Sequence, residues 1–191
     1  IESEIGVDAK TAESLKRVYF LACGTSFHAS LYGRYLIEAL SGVPSTCELA
    51  SELVVRDPVL GEGDLIVAVS QSGETIDTLA AVKAAKERGA KVLALTNVLD
   101  SAIPRASHGS LYTHAGPEIG VASTKCFTAQ LGAMVLLAVY LGRRRGTLST
   151  ERAREVLQGM LEVPHRMREV LSQDDTLRDL ARKYQQARSF L

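Results

Sequence analysis

The sequence predicts an α/β domain, a three-layer sandwich in which a five-stranded parallel sheet is flanked by helices, with a C-terminal helical tail after it. Leu65 to Val69 is an unbroken apolar run, too short for a helix and bounded by turn-forming residues, as expected of a strand covered on both faces. Strand-like runs alternate with helical spacings about five times along the chain, the pattern of parallel strands joined by helical crossovers. Two of these strands lead straight into hydroxyl-rich turns that open helices, Cys23-Gly-Thr-Ser26 and Ser70-Gln-Ser-Gly-Glu-Thr75.

Residues 1–16 are polar with weak periodicity and read as a lead-in segment; Ile1 in place of an initiator methionine suggests a piece of a longer polypeptide. The domain itself is expected over residues 17–146. Val18 to Ala22, aromatic and β-branched, is the first strand, and helical spacing runs from Phe27 to Leu40 until Gly42 and Pro44 end it. Ser45 to Leu49 is a short second strand, followed by Ala50 to Val55. The central strand then enters the turn Ser70–Thr75, from which Ile76, Leu79, Ala80 and Val82 keep helical spacing up to Gly89. Lys91 to Thr96 is a further strand, Asn97 to Ala106 a turn-rich connection with a short helical piece, and Ser110 to Thr113 an edge strand. A loop from Ala115 to Lys125 feeds an apolar helix that ends near Leu141.

Residues 147–191 are expected to form the helical tail, leading toward a further module. Ser149 or Thr150 caps a helix over Glu151 to Leu161, Pro164 interrupts it, and His165 to Leu171 and Asp174 to Gln186 resume it. Ala187 to Leu191 turns apolar, like the start of another strand.

At 191 residues and 46% hydrophobic content the chain can bury a sizeable core. Lys+Arg and Asp+Glu are both 22, so no net field draws nucleic acid or an anionic membrane surface. The three cysteines, Cys23, Cys47 and Cys126, are widely spaced and odd in number, which favours free thiols in a reducing cytoplasm and shows no metal-ligand pattern. The longest apolar stretch, Leu131 to Leu141, is about half of what crosses a bilayer and reads as a buried helix. No cofactor is expected.

The polar turns carry the chemistry. In open parallel sheets, ligands collect at the carboxyl ends of the strands, where both turns lie. The first N–H groups of a helix lack intrahelical partners and sit at the positive end of its dipole, which suits a phosphate. Ser70, Ser72 and Thr75 add neutral donors, and Gly73 lets the backbone come close. The competing reading is that Ser72 or Thr75 merely caps the helix. In the loop before the apolar helix, Glu118 fits a helix start and Lys125 a paired or snorkelling position. Alternatively the loop is a lid or third wall, with Ser123 and the backbone near Val121 touching ligand.

Taken together, Leu21-Ala-Cys-Gly-Thr-Ser26, Ser70-Gln-Ser-Gly-Glu-Thr75 and Glu118-Ile-Gly-Val-Ala-Ser-Thr-Lys125 closely resemble the first sugar-isomerase (SIS) module of the glutamine–fructose-6-phosphate aminotransferases, the glucosamine-6-phosphate synthases. The resemblance is strong from Arg17 to Gly142 and looser in the tail. It implies the SIS fold, which is flavodoxin-like. It also implies sugar-phosphate contacts from Thr25, Ser26, Ser70, Gln71, Ser72 and Thr75, with Val121 and Ser123 lining the sugar pocket. The ligands implied are fructose 6-phosphate and glucosamine 6-phosphate.

The same resemblance implies partners: a glutaminase domain and a second SIS module in the parent chain, and a homodimer through the apolar helix. The family's acid/base glutamate, ring-opening histidine and lysine have no matching positions here, so the chain alone is expected to bind without turnover, with no catalytic residue assigned. Isomerisation needs a base to move a proton between adjacent carbons. Glu74 and Glu118 fit structural roles better, and His28, His108, His114 and His165 form no cluster. Two rivals differ in kind. A phosphosugar-sensing regulator would share the serine turns, joined to a helix-turn-helix that these residues do not contain. A nucleotide-binding domain would show Gly-x-Gly-x-x-Gly or a Walker lysine instead of Cys23-Gly-Thr-Ser26.

Overall fold

The computed structural model describes residues 2–189 and divides into two compact units, one through Ala153 and one from Arg154 onward. The first unit is built on the strands β1 (Arg17–Ala22), β2 (Ser45–Leu49), β3 (Asp64–Ser70), β4 (Lys91–Thr96) and β5 (Gly109–Tyr112). They form one sheet of order β2-β1-β3-β4-β5. Every pairing is parallel, from Val18 against Ser45 at one edge to Thr96 against Tyr112 at the other.

Alternation along the strands divides the core. Leu65, Val67 and Val69 of β3 face one side with Val18, Phe20, Ala22, Leu93 and Leu95, while Ile66 and Ala68 face the other with Leu21, Val92 and Ala94. The first side is covered by α3 (Gly24–Ser41) and α7 (Lys125–Arg144), the second by α4 (Ala50–Arg56), α5 (Ile76–Glu87) and α6 (Ala102–Ala106). Covering both faces explains why β3 is an apolar run without polar alternation: all of its residues are buried.

The opening residues are part of this domain. α1 (Glu2–Ile5) and α2 (Ala9–Ser14) place Ile5, Val7, Ala12 and Leu15 in the same core as Phe20 and Met134. Asp8 caps α2 by accepting from the Thr11 N–H at 2.8 Å. With only four scattered apolar anchors, the segment has no readable period of its own.

α7 is longer than its central apolar stretch. At 20 residues its length and composition would allow a membrane crossing, yet half of it is buried inside the fold, where it packs against α3. The second departure lies in the tail. α8 (Thr150–Leu171) continues through Pro164, and α9 (Asp174–Tyr184) follows. A proline removes one helical N–H, but the Leu, Glu, Arg and Met residues around it are strong helix formers that sustain both flanking turns. From Arg154 the helical residues stay largely exposed, Leu161, Val170 and Leu177 among them. Phe190 and Leu191, on which the expected strand start depends, lie outside the described residues, as does Ile1.

Candidate functional site

The sheet order reverses between β1 and β3, so the loops leaving these two central strands diverge and open a crevice at their carboxyl ends. A cleft of about 450 Å³ lies there. Thr25, Ser26, Ser70, Gln71, Ser72, Thr75, Val121 and Ser123 all line it, so the expected residues come together in one place. Cys23, Gly24, Glu118 and Gly120 complete much of the wall. The sequence marks Cys23 and Gly24 only as part of a helix-opening turn and Glu118 only as a helix-start carboxylate, and Gly120 offers the cleft backbone alone.

The first turn differs in detail from expectation. α3 starts at Gly24, three residues ahead of Phe27. Thr25 and Ser26 therefore stand in the first helical turn, where the N–H groups are free of intrahelical partners. Cys23 occupies the N-cap position and makes no side-chain capping bond. Ser26 is buried; its carbonyl accepts from Ser30 Oγ at 2.7 Å, and its Oγ accepts from Gln130 Nε2 at 3.0 Å.

The second turn is held by its own hydroxyls. Ser70 Oγ and Thr75 Oγ1 share a hydrogen bond of 3.0 Å, the Gly73 N–H donates to Ser70 Oγ at 3.1 Å, and the Glu74 N–H donates to Ser72 Oγ at 3.2 Å. Thr75 is the N-cap residue of α5 but makes no side-chain capping bond. Ser72 instead closes the turn around Gly73, and neither hydroxyl caps the helix. Gly73 has a φ of 67°, a left-handed conformation that lets the loop double back. Glu74 is turned outward from the chemistry, its Oε1 accepting from the Ala102 N–H at 2.8 Å at the start of α6.

Glu118 is the anchor of the third wall. Its carboxylate accepts from Ser123 Oγ, the Thr124 N–H, Thr124 Oγ1 and the Cys126 N–H, at 3.0–3.3 Å. These bonds, the Cys126 N–H foremost, hold its pKa down to about 2, against an ordinary 4.5. A carboxylate so strongly stabilised as the anion is a weak base, and its work here is to cap α7. Ser123 shares that work: its Oγ also accepts from the Phe127 N–H at 3.1 Å. Val121 is fully exposed at the lip, and Lys125 is exposed at the start of α7. Farther back, Asn97 ties down the loop through Thr113 Oγ1, the Ala115 N–H and the Gly116 carbonyl.

Because Glu118 is ionised more readily folded than unfolded, its contribution to stability is fully present above pH 4.5 and is lost as the pH falls toward 2. The expected result is that Glu118→Gln melts below the parent by a constant margin at pH values above 4.5, and that the margin closes on acidification toward 2. Differential scanning calorimetry across that range reads it, and a margin indifferent to pH would remove the capping role.

Residues 13–140 match the family described as SIS domain. The chain is 46% identical over 176 residues, 92% of its length, to a glutamine–fructose-6-phosphate aminotransferase (isomerizing) of Bacteroides thetaiotaomicron. It is 47% identical over 188 residues, 98% of its length, to one of Thermus thermophilus. It spans only 29% and 31% of those two proteins. Among solved structures, the C-terminal domain of glucosamine-fructose-6-phosphate aminotransferase from Francisella tularensis superposes with a TM-score of 0.90 at 32% identity, covering 97% of this chain and 53% of that one. A glucosamine-6-phosphate deaminase from Thermotoga maritima gives a TM-score of 0.63 at 26% identity, covering 73% of this chain and 43% of that one. With the family match extending over the whole sheet and the cleft at its switch point, the chain belongs to the SIS domain family.

Proposed function

We propose that the cleft binds the phosphate of a phosphosugar, fructose 6-phosphate or glucosamine 6-phosphate, as one module of an enzyme that makes glucosamine 6-phosphate from fructose 6-phosphate and glutamine. One observation carries the reading: α3 and α5 both open on the cleft with no side-chain cap, while Ser70, Ser72 and Thr75 line it. Uncapped N-termini leave donors and positive dipole ends for an anion, and a phosphate accepts from both. In this reading Thr25, Ser26, Ser70, Gln71, Ser72 and Thr75 hold the phosphate, and Val121 and Ser123 bound the sugar.

The module binds and does not turn over substrate by itself. Glu118 and Glu74 are committed to helix starts, and among the described residues no histidine lines the cleft. Proton transfer between sugar carbons then falls to the rest of a longer chain or to a second copy. Pairing with such a copy belongs to the same proposal and is read by analytical ultracentrifugation, where a monomer at every concentration removes it. The free thiols Cys23, Cys47 and Cys126 fit a reducing cytoplasm.

Calorimetric titration with fructose 6-phosphate, glucosamine 6-phosphate, fructose and ATP tests the site. The two sugar phosphates are expected to bind, and the Ser72→Ala, Thr75→Ala double variant is expected to lose more than about tenfold in affinity, since two bonds to a charged group are removed. Equal binding of fructose, preference for ATP, or an unchanged affinity in the variant overturns the proposal.

A further inference from the structure

Gln130 is a polar residue on the buried face of α7, one turn from Cys126 on one side and from Met134 on the other. It is 1% exposed. Its Nε2 donates to Ser26 Oγ at 3.0 Å, joining residues 104 apart in the sequence, and its Oε1 has no partner. An amide left half unsatisfied in a core costs desolvation that an apolar side chain of the same length would not. Packing therefore gives no reason for a glutamine here.

Its partner supplies one. A serine hydroxyl has one proton to donate and two lone pairs to accept with. In Ser26 one lone pair is taken by Gln130, so the proton is left for an acceptor in the cleft that Ser26 lines. A phosphate offers only acceptors to a neutral hydroxyl, and a serine that spent its proton on the protein would meet it with lone pairs and repel it. The glutamine amide carries no charge and does not titrate near neutral pH, so it presents a donor to Ser26 throughout.

We propose that Gln130 is a positioning residue: by donating to Ser26 Oγ it directs the Ser26 hydroxyl to donate to the phosphate of a sugar phosphate in the cleft. The inference rests on the phosphosugar reading given above. It deepens that reading by assigning the orientation of one hydroxyl to a side chain outside the cleft wall. A glutamate in the same place reverses the bond, accepting the serine proton and turning lone pairs toward the anion.

The test is titration calorimetry with fructose 6-phosphate at neutral pH, paired with thermal unfolding, on the parent chain, Ser26→Ala, Gln130→Met, the two combined, and Gln130→Glu. Gln130→Met is expected to hold or raise the melting temperature, because an unsatisfied buried oxygen is removed. It is also expected to weaken binding about fivefold, the equivalent of one hydrogen bond. The combined variant should bind no more weakly than Ser26→Ala, since both changes delete the same contact. Gln130→Glu should bind more weakly than Gln130→Met. A purely structural glutamine shows the reverse, a lower melting temperature with unchanged affinity, and that result overturns the inference. Parent-like affinity in Gln130→Met beside a weakened Ser26→Ala overturns the positioning role and leaves the phosphosugar site standing. Absence of binding by the parent overturns the phosphosugar reading, and this inference with it.

Discussion

Gly73→Ala is expected to destabilise the domain by about 2–5 kcal/mol and to abolish sugar-phosphate binding in whatever fraction stays folded. The backbone at Gly73 has a φ of 67°, which costs an L-residue about 1–2 kcal/mol. A Cβ there would lie 1.9 Å from Ser101 Oγ and 2.8 Å from Ser101 Cβ, so Ser101 must move. Ser101 is itself buried and donates to the Val98 carbonyl at 2.9 Å, at the head of α6. The Gly73 carbonyl accepts from the Ile103 N–H at 2.9 Å, and Glu74 Oε1 from the Ala102 N–H at 2.8 Å. Displacing Ser101 therefore disturbs the seam that fixes the Ser70–Thr75 turn, adding the roughly 1–3 kcal/mol typical of overpacking.

Gly89→Ala is the matched control. Its φ of 83° is also left-handed, but nothing lies within 4 Å of the added carbon. It should cost only the backbone share, about 1–2 kcal/mol, and leave binding intact. Urea unfolding of both variants decides the matter: equal losses would show that the contact with Ser101 contributes nothing.

Arg17→Met is expected to cost about 2–4 kcal/mol, toward the low side of what removing one partner of a buried pair costs, and to leave affinity for sugar phosphate unchanged. Asp64 is 2% exposed, and the Arg17 Nε and Nη2 donate to its two oxygens at 2.9 Å each, while Nη2 also reaches the Val59 carbonyl. Without Arg17, the Gly61 N–H at 2.9 Å remains to the carboxylate. Arg17 is 42% exposed, so water partly replaces it and the loss falls short of a fully enclosed pair. The two residues face each other where β1 and β3 begin, at the opposite end of the strands from the cleft. Adding Asp64→Leu should recover much of the loss, because an apolar pair of similar volume does not carry the desolvation cost. Chemical denaturation beside calorimetric titration reads both halves, and a parallel fall in affinity would mean that the two ends of the sheet are coupled.

Much of the site was legible because its chemistry is local. The Ser70–Thr75 turn binds itself through Ser70, Ser72 and Thr75, residues at most five apart, and its place between a strand and a helix follows from periodicity. Glu118 was readable as a helix-start carboxylate for the same reason, since the groups that donate to its carboxylate lie within eight residues of it. Less legible was the competition between capping and ligand binding at Ser72 and Thr75. A hydroxyl near a helix start suits both roles, and the observed bond partners show only that neither Ser72 nor Thr75 caps α5. Ser123 shows the converse: it lines the cleft, but its hydroxyl is engaged with Glu118 and Phe127.

The sequence by itself determined the parallel α/β sandwich, because a strand buried on both faces must be continuously apolar and a crossover helix must follow it, as Leu65 to Val69 and the spacing from Ile76 show. It also determined which turns carry hydroxyls at helix starts. The tertiary structure decided the rest through contacts that no local pattern encodes. Ile5 and Val7 gain a core only once α7 and the sheet are in place, and Pro164 stays within a helix because its neighbours sustain the turns on both sides. Ser26 meets Gln130 only when α3 and α7 pack side by side across 104 residues of chain. Periodicity places a residue on a face of its own element; which partner that face meets is decided when the faces close.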